Sequence, residues 1–401
     1  MCAALPEVRC CAPTHFELGR QVGEAMAVTI ERAFSADSSL KALLEFCAGP
    51  EGRELLSAFE KTNRSSYPHI MEEVEGIAAG SGQSLDAVLL ANMAQELSTF
   101  DERAAPVVGC TDYHVLSQDT RVSCWGHTED VLAEERGYIV HSVLVAPQEA
   151  ADGAEPAVLA SYTAFAYPGC VAGWAWGFNQ HGIAFSINAL TPARTRVGLA
   201  ASFVSRDVLD AIDMDDAIAR ATVPSQGGGQ RFNIGSVVEP GRRLLIEASP
   251  QGCELRQLAP GERSAVCNVY LFGLSPASIE GRKGPYAESS HRRLARAMEL
   301  AQASEPGQGT EVASDVAASP SRAALELQRI ARVLSDRADP EFPIWRDGTA
   351  PDYAVSDHCV IFDLPGRRVE VYRGRHVEGQ PQQPQHAFAM PNQPGIAATN
   401  R

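Results

Sequence analysis

The texture of the chain breaks at Pro106, and that break limits the folds open to it. Upstream, Glu17 to Phe34 (ELGRQVGEAMAVTIERAF) repeats apolar residues at helical spacing in spite of Gly19 and Gly23. Tyr67 to Ala79 reads as a second helix stopped by Gly80-Ser-Gly82, and Ser84 opens a third that runs to Leu97. Downstream, strand-like runs crowd together at Thr111–Ser117, Val122–His127, Tyr138–Ala146 and Ala157–Ala164. An aromatic hairpin follows from Gly173 to Asn188, then a helix from Phe203 to Ala221 and paired strands at Phe232–Val238 and Leu244–Ala248. Ser289–Ala303 and Ala323–Leu334 read as helices separated by a flexible insertion, and Cys359–Leu364 with Arg368–Tyr372 as a last hairpin. This order lacks regular βα alternation and predicts an α+β layered domain. The expected division is a helical propeptide or small chain (1–109), a catalytic chain (110–378) and a disordered tail (379–401) rich in Gln and Pro.

Charge narrows the function. Lys plus Arg number 34 against 50 Asp plus Glu, a net −16 that repels phosphate backbones and anionic lipid. Nucleic acid and membrane surfaces are therefore poor partners. The N-terminus lacks the basic start and apolar run of a signal peptide, and no stretch reaches the roughly 18–20 apolar residues that span a bilayer. Ten cysteines in such a chain read as reduced thiols, so the expected location is cytoplasmic.

At the break stands Gly109-Cys110. A thiol beside a glycine carbonyl has a specific use: the sulfur attacks that carbonyl, the amide becomes a thioester, and water opens it. Glycine, without a Cβ, tolerates the distorted backbone this step needs. The product begins at Cys110 with a free α-amine, whose ordinary pKa near 7.7–8.0 suits it to act as base for its own thiol. Gly-Cys alone is a weak signal, since a lone cysteine at a strand start is usually a packing residue. Company raises it: Asp130 in Trp125-Gly-His-Thr-Glu-Asp130 is a carboxylate for the new ammonium, and Asn188 and Asn268 are candidate oxyanion donors.

The segments THFELGRQVG (14–23), YPHIMEEVEGIAAG (67–80), VVGCTDY (107–113), WGHTEDV (125–131), GFNQHGIAFSINAL (177–190), VCNVYL (266–271) and SSHRRL (289–294) carry a resemblance. The chain resembles the acyl-coenzyme A:isopenicillin N acyltransferases and the β-alanyl-dopamine (carcinine) hydrolases, a family of N-terminal-nucleophile hydrolases, over roughly residues 13–375. The resemblance implies a four-layer αββα sandwich. It also implies self-cleavage at Gly109-Cys110 with Cys110 as nucleophile, Asp130 supporting the new N-terminus and Asn268 in the oxyanion hole, with Asn188 as a further polar position. The family's late Ser or Arg has no clear match near Val355-Ser-Asp-His-Cys359. Gly-His-Thr-Glu-Asp is closer to the amine-amide hydrolases, which favours hydrolysis of β-alanyl-amine-like amides over acyl transfer. Coenzyme A enters only as a thioester co-substrate in the acyltransferase alternative; a non-catalytic binding protein is the other. The two chains of the precursor are expected to stay associated.

The remaining candidates divide between core and site. Trp174 and Trp176 are core aromatics or the lining of an acyl pocket. His127 is a structural or pocket histidine. Cys110, His114, Cys124 and His127 mimic a zinc pattern, but Cys124 and His127 point to opposite faces of a strand, so no metal site is expected.

Overall fold

The computed structural model describes residues 4–100, 109–132, 136–147, 156–273, 281, 283–303, 321–376 and 383–391. It opens with strand β1 (Glu7–Ala12), whose side chains alternate between exposed and buried. Six helices follow: α1 (His15–Ala36), α2 (Ser38–Ala48), α3 (Pro50–Ser66), α4 (Pro68–Ser81), α5 (Leu85–Asn92) and α6 (Ala94–Leu97). Local chemistry sets their starts. Thr14, Asp37 and Ser84 side chains accept backbone N–H groups at the first turns of α1, α2 and α5. Pro50 and Pro68 begin α3 and α4, where a missing N–H is harmless.

Next come β2 (Gly109–Leu116), β3 (Ser123–Val131), β4 (Tyr138–Val145), β5 (Val158–Ala166), β6 (Trp176–Asn179) and β7 (Ile183–Leu190). Helices α7 (Ala201–Val208) and α8 (Met214–Ala221) lead into β8 (Gly229–Ser236), β9 (Leu244–Ser249), β10 (Gly252–Gln257) and β11 (Arg263–Val266). Helices α9 (Gly284–Gln302) and α10 (Arg322–Leu334) precede β12 (Val355–Asp363), β13 (Arg368–Tyr372) and β14 (His386–Ala389).

The strands form two sheets, ordered β1-β4-β5-β6-β7-β8-β9-β10 and β11-β2-β3-β12-β13-β14. Alternation along single strands separates three apolar layers. In the larger sheet, Tyr138 and Val140 join Ile30, Phe59 and Val74 beneath the N-terminal helices, while Ile139 turns inward to Trp125, Trp176 and Val360 between the sheets. In the smaller sheet, Tyr113 and Ile361 pack outward on Ile330 and Leu334 of α10. The result is the four-layer αββα sandwich expected from the sequence.

Three readings of the sequence need correction. The first 109 residues are not purely helical, because β1 pairs in parallel with β4 at a sheet edge. The tail is not wholly disordered: His386–Ala389 pairs with β13, and Met390 behind it is buried. Its four alternating residues are too few to stand out from Gln- and Pro-rich surroundings. The helix expected over 203–221 is two helices, because Asp213 caps a new one by accepting from Asp216 N at 2.8 Å. The flexible insertion between α9 and α10 lies mostly outside the described residues, as do Pro106–Val108 and 392–401.

Glycine decides how the N-terminal layer packs. A Cβ on Gly19 would stand 2.1 Å from Glu73 O, and one on Gly76 2.0 Å from Phe16 O. A Cβ on Gly23 would stand 2.5 Å from Ile77 O and one on Gly80 2.2 Å from Arg20 O, so α1 and α4 meet main chain to main chain. That contact accounts for glycines in two helical runs where propensity disfavours them. Gly76→Leu is expected to force the pair apart and destabilise the fold by about 3 kcal/mol, read as a lower denaturant midpoint. Glu72→Leu, at an exposed position of α4, is the control.

Candidate active site

β2 and β3 form an antiparallel pair with Gly109 opposite Asp130, Cys110 opposite Glu129, Thr111 opposite Thr128 and Asp112 opposite His127. Strand alternation sends Cys110, Asp112, His127 and Glu129 to the face between the sheets, and Gly109, Thr111 and Asp130 to the face under α9. Both strands are buried throughout.

On the inner face a polar chain runs back from the thiol. Cys110 Sγ donates to Glu129 Oε2 at 3.5 Å, and His127 Nε2 meets the same oxygen at 2.8 Å. His127 Nδ1 lies 2.9 Å from Asp112 Oδ2, which also accepts from Asn188 Nδ2 at 2.6 Å. Ser186 hydrogen-bonds Asp112 Oδ1, and Asn233 Nδ2 donates to Asn188 Oδ1 at 3.0 Å. The Tyr167 hydroxyl donates to Glu129 Oε1. Burial opposes charge on His127, but Asp112 and Glu129 outweigh it and push the imidazole up to about 10. The same imidazolium holds the Asp112 carboxyl below its ordinary value against the effect of burial. Cys110 is pushed well up, first by burial and then by Glu129, Asp130 and Asp112.

The outer face is cationic. Arg293 Nη1 donates to Cys110 O at 2.8 Å and Thr111 Oγ1 at 2.6 Å, and Nη2 donates to Asn268 Oδ1 at 3.1 Å. Asn268 Oδ1 also accepts from Cys110 N at 2.8 Å, while its Nδ2 donates to Ala189 O at 3.1 Å. Two donors at the oxygen and a carbonyl at the nitrogen fix the amide's orientation. Asp130 accepts from Ser356 Oγ at 2.5 Å and Arg346 Nη1 at 3.4 Å, with Arg293 at 3.9 Å. A Cβ on Gly109 would stand 2.0 Å from Arg346 Nη1, so only glycine lets this cation approach the Gly109-Cys110 bond.

A cavity of about 130 Å³ opens over Cys110. Half of its lining residues precede Gly109, including Phe34, Asp37, Leu40 and Gln95; the rest include Cys110, Glu129, Tyr167, Trp174 and Ile187. It is mainly apolar, with Asp37 and Glu129 as acidic lining residues and no Lys, Arg or His among the described residues.

The predicted residues separate. Gly109, Cys110, Asp130 and Asn268 converge on one peptide bond. Asn188 lies behind Asp112 rather than at the sulfur. Trp174 lines the cavity, but Trp176 does not: it is the first residue of β6 and fully buried between the sheets, its indole N–H donating to His358 Nε2 at 2.8 Å. His127 is likewise sealed behind Glu129 and lines nothing. Sequence reasoning passed over Glu129, Arg293 and Arg346. Helical spacing held the clue, since Ser289, Ser290, Arg293, Ala297 and Ala301 form the buried stripe of α9. Ser356 and Arg346, close to the last hairpin, meet at Asp130.

Cys110, His127 and Glu129 bring metal-ligating atoms within 4.8 Å of one another, as do His69, Asp207 and Asp210. In the first group an imidazolium already bridges the carboxylates, so a cation would have to displace its Nε2 proton. In the second, Arg206 Nη1 occupies Asp210 Oδ1 at 3.1 Å.

Residues 116–377 match the family of acyl-coenzyme A:6-aminopenicillanic acid acyl-transferases, and the chain belongs to that family of amidohydrolases and acyltransferases. The match begins beyond Cys110. Over 381 residues the chain is 22% identical to a β-alanyl-dopamine/carcinine hydrolase of Drosophila melanogaster, with 92% of each chain covered. It is also similar to a conjugated bile acid hydrolase of Clostridium perfringens, at 10% identity over 70% of this chain and 92% of that one, TM-score 0.42. A penicillin V acylase of Agrobacterium tumefaciens aligns at 9% identity over 66% and 83%, TM-score 0.35. No helix among the described residues is long and apolar enough to cross a membrane.

The His127 environment sets a pH dependence. Its folded value, about 10, lies above the ordinary 6.5, so its stabilising contribution is complete below about pH 6.5 and is lost as pH rises through 10. Denaturant midpoints of wild type should fall between pH 7.5 and 10.5 by more than those of His127→Gln. Equal falls would remove the imidazolium from the account.

Proposed function

We propose that the chain cleaves itself between Gly109 and Cys110 and then, through Cys110, hydrolyses small N-acyl amines of the β-alanyl-amine type. The observation that carries this reading is the dual position of Cys110. Its sulfur lies at a cavity, while its nitrogen and carbonyl are gripped by Asn268 and Arg293 beside a glycine pressed against Arg346.

In the first step Sγ bonds to the Gly109 carbonyl carbon, the C–N bond breaks, and the nitrogen takes the thiol proton. Water then opens the thioester, leaving the Gly109 carboxylate and a free Cys110 amine. In turnover that amine receives the thiol proton, Sγ attacks the substrate carbonyl, and the proton passes to the leaving amine. A second water, deprotonated by the same amine, releases the acid. Asn268 Oδ1 is taken by Cys110 N and Arg293 and one Nδ2 proton by Ala189 O, so the second Nδ2 proton is the donor this amide has for oxyanion charge. Asp130 lies on the outer face with Arg346, Arg293 and Ser356, where it holds the cations that flank the scissile bond and faces the new ammonium.

Acyl transfer from an acyl-coenzyme A uses the same sulfur. The cavity lining offers no cationic side chain for its phosphates among the described residues, which favours hydrolysis. The relative's printed substrates, β-alanyl-dopamine and carcinine, support the same choice. Because half the cavity wall precedes the cut, the two fragments must stay together for substrate to be held.

Cys110→Ala is expected to run as one chain on a denaturing gel and to hydrolyse nothing, whereas wild type yields fragments 1–109 and 110–401. Two fragments from the variant, or an intact wild-type chain, would refute self-cleavage; the latter favours a binding protein on this fold. Asp130→Asn is expected to slow appearance of the fragments by about tenfold or more. A wild-type rate would return Asp130 to a purely structural role.

A further inference from the structure

We infer that Glu129 is the receptor for a positively charged ammonium group on the acyl part of the substrate, so that the enzyme selects short amino-acyl amides. This deepens the amidase reading above and rests on it. Three observations lead here. Glu129 is 2% exposed, yet its carboxylate lines the cavity 3.5 Å from Cys110 Sγ. An acyl group bonded to that sulfur therefore has the carboxylate beside it, in reach of a cation one or two carbons from the carbonyl.

The second observation is a count of lone pairs. A carboxylate offers about four acceptor sites. Tyr167 takes one on Oε1, and His127 and the thiol take two on Oε2. When the thiol proton moves to the α-amine, the site facing the sulfur is vacated at the moment the nucleophile forms. An ammonium on the acyl group fits there. The third is charge: no Lys, Arg or His lines the cavity among the described residues, and the His127 imidazolium is shared between two carboxylates, Asp112 and Glu129, which leaves the group net negative. Burial and the flanking carboxylates hold the thiol up, so a cation docked on Glu129 also eases formation of the thiolate. The substrate thus helps to activate its own nucleophile.

Asp37 is the rival receptor, but it lies at the α1–α2 junction with Oδ1 accepting from Leu40 N at 2.9 Å. The test uses β-alanyl-4-nitroanilide and butyryl-4-nitroanilide, which match in length and differ in ammonium against methyl. In processed wild type, kcat/KM should favour the β-alanyl amide by about tenfold or more. Glu129→Gln should lower that ratio by about the same factor, and Asp37→Asn should leave it in place. A wild-type ratio in Glu129→Gln, or collapse in Asp37→Asn instead, overturns the assignment. Calorimetry with the acid products, β-alanine and butyrate, on the wild-type protein reads the same preference without turnover, and equal affinities overturn it even if Glu129→Gln does not fold. Failure of the processed wild type to cleave either anilide counts instead against the amidase reading.

Discussion

Across one antiparallel ladder Gly109 faces Asp130 and Cys110 faces Glu129, and the chemistry of the molecule depends on that register. Successive residues of a strand point to opposite sides, so adjacent carboxylates serve different compartments. Glu129 looks into the cavity; Asp130 looks at the arginines behind the peptide bond. A slip of β3 by one residue would exchange the two faces of that strand. Burial on both sides makes such a slip costly, because it would strand His127 and Glu129 among the apolar residues under α10.

The two faces differ in electrostatics as well as in position. The inner one holds two carboxylates around a shared imidazolium and keeps the thiol protonated. The outer one sets Arg293 and Arg346 against the backbone at the junction, with Asp130, Asp352 and Ser356 as their partners. Burying isolated charges is expensive, and each of these groups has an opposite charge or a directed hydrogen bond. The arrangement separates a thiol held in its protonated form from the cations beside the Gly109-Cys110 bond. Arg243 extends the polar seam between the sheets, its guanidinium 4.0 Å over the Trp125 ring, while Trp125 itself stacks on Phe362 and donates to Ser186.

The layered α+β class was legible because helical and strand periodicities occupy separate stretches of the chain. Gly109 and Cys110 were legible through their chemistry, and Asp130 and Asn268 through resemblance. The resemblance named Asp130 but gave no reason to look at its neighbour, since only the ladder shows that Glu129 and not Asp130 shares a side with the sulfur. Arg293 and Arg346 were missed because arginine is read as surface by default, and their burial depends on tertiary partners far away in sequence. Trp176 was placed at the cavity because an alternating aromatic run gives no hint that the strand begins only at that residue. Strand β14 was hidden by its brevity.

The backbone contact of α1 with α4 reaches beyond packing. Side chains between helices act as springs, absorbing a push by changing rotamer. Where Gly19, Gly23, Gly76 and Gly80 bring two main chains together, there is nothing left to compress. Phe34 and Asp37, at the far end of α1, therefore hang from a rigid beam. The cavity wall on that side is thereby held in place, and its shape there follows from the residues that project from the beam.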